Sequence, residues 1–148
     1  MQFKHNLVTD DVRLRQILKN SRRIAVLGIK TDARLDAPAH SVPRYLQAHG
    51  YVILPVPVNQ PDATHILGQP CFMKLADIPG GADVVQVFRK PVDIPAHLED
   101  LLAIRPRVVW FQQGIREDAV ARTLAEADIL VVQDHCMKVD HARLHAAT

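Results

Sequence analysis

Arg22-Arg23-Ile24-Ala25-Val26-Leu27-Gly28-Ile29-Lys30-Thr31 is the stretch from which the rest of the chain is read. An uninterrupted apolar run begins at Ile24 and stops at Gly28. A short run of this kind, bounded by turn signals, predicts a strand buried on both faces, as in a parallel sheet. Gly28 permits a tight turn and a close approach of ligand to backbone, since no Cβ intervenes. Lys30 and Arg34 set positive charge beside that turn. Residues 41–49 predict an amphipathic helix, with Ser41 as its cap, Pro43 in its first turn and Gly50 as its stop. Strand, glycine turn, cationic loop and helix together make the phosphate-binding corner of a doubly wound α/β fold.

Outward from this corner the pattern repeats. Upstream, Thr9-Asp10-Asp11 predicts a helix start, with Val12, Leu14, Ile17 and Leu18 on one apolar face. Downstream, Tyr51 to Val56 predicts a second strand, with Pro55 near its end because proline has no ladder donor. Ile66-Leu67-Gly68 reads as a glycine turn and Gly80-Gly81 as another. Residues 83–88 predict the next buried strand and 95–104 a helix with Leu98, Leu101 and Leu102 inward. Residues 108–111 predict a strand, 115–127 a helix, 129–132 the last strand, and 139–144 a short terminal helix. Strands alternating with helices predict a mostly parallel sheet with helices on both faces. The division expected is an amino-terminal helix over 1–20 packed on a Rossmann-like domain over 21–148.

Bulk properties narrow the function. The chain has 148 residues, 48% of them hydrophobic, which suits a chain with a real core. A net charge of +2 is too small to argue for a nucleic-acid partner. Two cysteines, Cys71 and Cys136, do not make a disulfide framework, so a reducing cytoplasm is expected. No segment approaches the apolar length needed to span a bilayer, and residues 1–10 lack the apolar core of a signal peptide.

Ligands of open α/β sheets bind beyond the carboxyl ends of the strands. Those ends carry Gly28-Ile29-Lys30-Thr31, Pro57-Val58-Asn59, Phe88-Arg89-Lys90, Gln112-Gln113-Gly114 and Asp134-His135-Cys136. The cations Lys30, Arg34, Arg89 and Lys90 predict an anionic ligand. The dinucleotide fingerprint asks for three glycines and, about 20 residues on, an acid for the ribose. Here Gly28 stands alone and no acid follows the second strand before Asp62. That absence suits a 3′-phosphorylated nucleotide better than NAD, and NADP is also tolerated.

These end motifs occur together and in order, and the set resembles the small CoA-binding protein family. That family is a single Rossmann-like domain, similar to the CoA-binding domain of the succinyl-CoA synthetase α subunit. The resemblance runs from Ser21 to Leu144. It implies coenzyme A or an acyl-CoA as ligand, with Gly28, Ile29, Lys30 and Thr31 lining the phosphates. It implies Pro57, Val58 and Asn59 on the adenosine side, Val87, Phe88 and Arg89 bordering the nucleotide, and Gln113, Gly114 and Ile115 toward the pantetheine. Gln86 stands where the family often has an acid, and His135 where it often has an arginine.

Cys136 has three readings: a small buried residue closing the last strand, a nucleophile beside His135 and Asp134, or a partner for the CoA thiol in a mixed disulfide. His141 and His145 stand one helical turn apart, a usable metal-ligand spacing, but no native metal is expected. Three functions remain open: a non-catalytic carrier or sensor of CoA, an enzyme using NADP or an acyl-CoA, and a regulatory partner with a vestigial pocket. A protein partner is not identified by these residues.

Overall fold

The apolar runs pair side by side in parallel: Ile24 lies between Ile53 and Val84, and Val84 lies beside Val108. In the computed structural model, which describes residues 3–144, the strands are β1 (Arg23–Leu27), β2 (Val52–Val56), β3 (His65–Ile66), β4 (Gln69–Pro70), β5 (Val84–Val87), β6 (Val108–Gln112) and β7 (Leu130–His135). Five of them form one parallel sheet in the order β2-β1-β5-β6-β7, and β3 and β4 form a separate antiparallel hairpin. Leu67 and Gly68 turn that hairpin with φ of 54° and 74°. Positive φ at both central residues is the twist-matched two-residue turn.

The helices are α1 (Asp11–Asn20), α2 (Pro38–Ala48), α3 (Leu98–Ile104), α4 (Asp118–Glu126) and α5 (Met137–Arg143). Alternate residues of each strand face opposite sides, so the sheet has two cores. Ile24, Val26, Ile53, Val84, Val108, Trp110 and Val132 pack with residues of α1, α2 and α5. Ala25, Leu27, Val85, Val87, Val109, Phe111 and Val131 pack with residues of α3 and α4. The doubly wound parallel sheet expected from the apolar runs is therefore the fold. Its edges are covered: Val8 donates to the Val131 carbonyl beyond β7, and Phe72 donates to the Pro55 carbonyl beyond β2.

Several local expectations are corrected. Helix α2 begins at Pro38, with Ala37 as its cap, rather than at Ser41. Pro38 fits the first turn, where a missing N–H does no harm. Pro43 then lies inside the helix and strands the Ala39 carbonyl, which accepts from the Lys30 amide at 3.1 Å instead. Val12 is 68% exposed, because Leu14, Ile17 and Leu18 alone make the buried stripe of α1. The turns at Pro91–Asp93 and Pro95–His97 are 3-10, and α3 starts only at Leu98. Helix α4 starts at Asp118, capped by the Glu117 carboxylate, so Ile115 and Arg116 belong to the loop. Strand β7 continues through Asp134 and His135, which the sequence reading placed beyond its end. It does so through a bulge: Trp110 faces Val132 but Gln112 faces His135, and Asp134 has φ of 59°.

Candidate functional site

The bend after β1 is built by close backbone contact. Gly28 has φ of +90°, and a Cβ there would lie 2.4 Å from the Phe88 carbonyl oxygen and 3.2 Å from Arg89 Cδ. The exits of β1 and β5 therefore touch at the point where the chain leaves the sheet toward opposite faces, the switch point of a doubly wound sheet. The Gly28 amide donates to the Val56 carbonyl, and the Phe88 amide to that of Leu27. Ile29 turns its side chain into the core and is 1% exposed. The amides of Ile29 and Thr31 meet no acceptor among the described residues, and Lys30 and Arg34 enter no ion pair there. Unpaired amides and cations beside one bend are the chemical ingredients of an anion site.

A network that the sequence reading missed holds this loop. His40 is 1% exposed and its Nε2 lies 2.8 Å from Asp32 Oδ1. Arg44 donates to His40 Nδ1 at 2.9 Å, so the proton sits on Nε2 and is donated to the aspartate. The same Asp32 oxygen accepts from the Leu67 amide at 3.1 Å, tying the loop to the β3–β4 turn. The His40 bond holds the Asp32 carboxyl below its usual range, against a smaller desolvation effect. The i, i+4 spacing of His40 and Arg44 was the available signal, visible once the helix start is placed at Pro38.

Beside the bend lies a cleft of about 380 Å³. Leu27, Val56 and Leu75 are among its apolar lining; Pro57, Val58 and Asn59 come from the exit of β2. Cys71, Phe72 and Lys74 come from the segment after the hairpin, and His97 and Asp100 from the start of α3. An apolar slot with a few convergent polar groups is the usual form of a small-molecule site. Arg89 reaches the same place: its Nε donates to His97 Nε2 at 3.2 Å, and its Nη2 lies 3.7 Å from Asp93. Burial, and then the Arg89 charge, hold the His97 imidazole below the ordinary histidine range. Burial pushes the Cys71 thiol up.

The residues expected at the site divide into two groups. Pro57, Val58 and Asn59 line the cleft, Phe88 and Arg89 pack against the Gly28 bend, and Lys30, Thr31 and Arg34 follow that bend in the loop to α2. Ile29 and Val87 have buried side chains and present only backbone. Gln113, Gly114 and Ile115 lie two strands away, after β6, where the Gly114 amide donates to Asp134 Oδ1 at 2.6 Å. Cys136 is half-buried at the start of α5 and packs against the core. Cys71, Lys74, His97 and Asp100 were missed as cleft residues, since only the tertiary fold brings the hairpin segment and α3 opposite β2. His141 is buried, with Nδ1 2.9 Å from the Tyr45 hydroxyl, and His145 lies outside the described residues. Among the described residues no helix is long and apolar enough to cross a membrane.

Parallel order, switch-point bend and adjoining cleft define a Rossmann-like α/β domain. The CoA binding domain family model matches residues 22–142, and the chain belongs to that family. It is 36% identical over 129 residues to the uncharacterized protein YneT of Bacillus subtilis (strain 168), covering 87% of this chain and 92% of that one. Its fold matches the solved structure of cell-free ID.343 from Thermus thermophilus with a TM-score of 0.85 and 41% identity, over 92% of this chain and 99% of that one. A hypothetical protein from Pyrococcus horikoshii OT3 matches with a TM-score of 0.83 and 31% identity, over 93% of each chain.

Proposed function

We propose that this protein binds coenzyme A or an acyl-CoA at the carboxyl edge of its sheet, as a non-catalytic carrier or sensor. The observation that carries this reading is the pairing of a cation-flanked bend with a cleft that has no acid at the exit of β2. The amides of Ile29 and Thr31, with Lys30 and Arg34, would hold the phosphates around Gly28. Adenosine would enter the cleft against Pro57, Val58 and Asn59, bordered by the backbone at Val87 and Phe88 and by Arg89. The pantetheine arm would run along the strand ends toward Gln113, Gly114 and Ile115, with its thiol in the direction of Cys136. Placing a phosphorylated ribose where a dinucleotide domain keeps an acid avoids a charge repulsion. Burial pushes the Cys71 thiol up, away from the thiolate form, so this cleft thiol is a poor nucleophile.

Thermal melting with CoA, acetyl-CoA, NADP and ATP tests the proposal. A ligand held only by the folded state adds stability as RT ln(1 + [L]/Kd), about 2.7 kcal/mol at a hundredfold excess over Kd. CoA is expected to raise Tm most. A shift with NADP and none with CoA would overturn the reading in favour of an NADP site. No shift with any of them would favour a regulatory partner.

A further inference from the structure

We infer that His97 is a positioning residue, pinning the Arg89 guanidinium between the Gly28 bend and the cleft so that it meets a phosphate of the bound ligand. The inference rests on the proposed CoA reading and adds to it a residue and a pH dependence. Arg89 leaves β5 with its Cδ packed against the bend. Arginine carries its Nε proton at every accessible pH, so its 3.2 Å contact with His97 Nε2 requires that nitrogen to be the unprotonated acceptor. His97 is thereby a neutral imidazole with its proton on Nδ1. The side chain of Arg89 is 21% exposed, and Asp93 at 3.7 Å holds its far end loosely. A guanidinium fixed at Nε leaves its Nη donors for the forked bonds that suit phosphate.

Protonation of His97 would set an N–H against an N–H and release Arg89. The charged groups facing His97 are Arg89 and Asp93 from the connection before α3, Asp100 on α3 itself, and Lys74 across the cleft. Release therefore occurs in mild acid, below the ordinary histidine value of about 6.5. The ligand's own phosphates also titrate near pH 6, so the effect is read against a variant that shares the ligand but not the imidazole.

The experiment is calorimetric titration of the full chain with CoA between pH 5 and 8, for wild type, His97→Gln, His97→Leu, Arg89→Ala and the double variant Arg89→Ala/His97→Leu. Each protein is first checked for an intact melting transition. His97→Leu is expected to weaken CoA about tenfold at pH 7.5, the scale of one hydrogen bond to a charged group. His97→Gln, whose amide oxygen still accepts from Arg89, is expected to keep most of the affinity and lose the extra weakening that wild type shows in acid. Arg89→Ala is expected to be as weak as the double variant, because a residue acting through another adds nothing once that other is gone.

Three results overturn the inference: His97→Leu binding as wild type does, a further loss in the double variant beyond Arg89→Ala, or wild-type affinity rising in acid relative to His97→Gln. The last two would make His97 a direct phosphate ligand. Absence of CoA binding by wild type itself would sink the proposed function instead, so the two failures are distinguishable.

Discussion

The two ends of the carboxyl edge are built on opposite plans. After β6 and β7 a run of polar groups is paired among the described residues, although His141 Nε2 on α5 is buried without a partner. Asp134 accepts from the Gly114 amide, Gln133 accepts from the Glu117 amide and donates to Asp118, and Trp110 donates to the His135 carbonyl. His135 Nδ1 meets Asp140 at 2.7 Å, and Arg143 pairs with both Asp140 and Asp11, fastening α5 to α1. Around the bend and cleft, by contrast, Lys30, Arg34, Lys74 and Asp100 enter no ion pair among the described residues. Groups already paired have little to offer a ligand without first losing a bond. On the proposed reading the sewn end serves the phosphates only as scaffold, and the open end is where an anion would gain contacts at least cost.

The largest effect expected at the open end comes from filling the bend. Gly28→Val places a Cβ on the Phe88 carbonyl and forces φ of +90° on a branched residue. Strain and overpacking each cost roughly 1–3 kcal/mol, so a loss of about 3 kcal/mol or more is expected in urea unfolding. A loss under about 1 kcal/mol would show that β1 and β5 part easily, and the bend would cease to be a rigid cradle.

A smaller change probes the sewn end. Asp134 holds the Gly114 amide while sitting at φ of 59°. Asp134→Ala loses the bond and keeps the strained backbone; Asp134→Gly loses the bond and relieves the backbone. Alanine is expected to cost about 1–2 kcal/mol and glycine about 1 kcal/mol less, measured by the same unfolding. Equal losses would mean that the carboxylate alone matters and that the β7 bulge carries no backbone strain.

The contrast between the ends also explains what could be read in the chain. The apolar runs at Ile24, Val84 and Val108 and the lone Gly28 are local signals, so sheet, order of elements and bend were legible. The start of α2 was not, because Pro43 is tolerated only through the Lys30 amide, which arrives from outside the helix. The continuation of β7 was not, because a bulge against β6 is a cross-strand event with no local signature. Part of the cleft was hidden for the same reason: Cys71, Lys74, His97 and Asp100 come from segments whose meeting with β2 depends on the whole sheet.

The subtlest expected effect concerns acid stability of the sewn end. His141 on α5 is 2% exposed, and its ring packs near Tyr45, Tyr51 and His49 from α2 and the start of β2. Burial, helped by the His49 charge, holds its imidazole below the ordinary histidine range. The unfolded chain therefore takes up a proton before the folded one does, and stability rises with pH across that interval. The contribution is fully present above about 6.5 and is lost as pH falls from there through the lower folded value. His97 at the open end is shifted in the same direction and adds to the same slope. Urea unfolding between pH 8 and 5 should thus show a decline that His141→Phe flattens in part and His97→Gln flattens in the remainder. If His141→Phe leaves the decline untouched, the packing of α5 on α2 accommodates a charged imidazole, and the sewn end is looser than its hydrogen bonds imply.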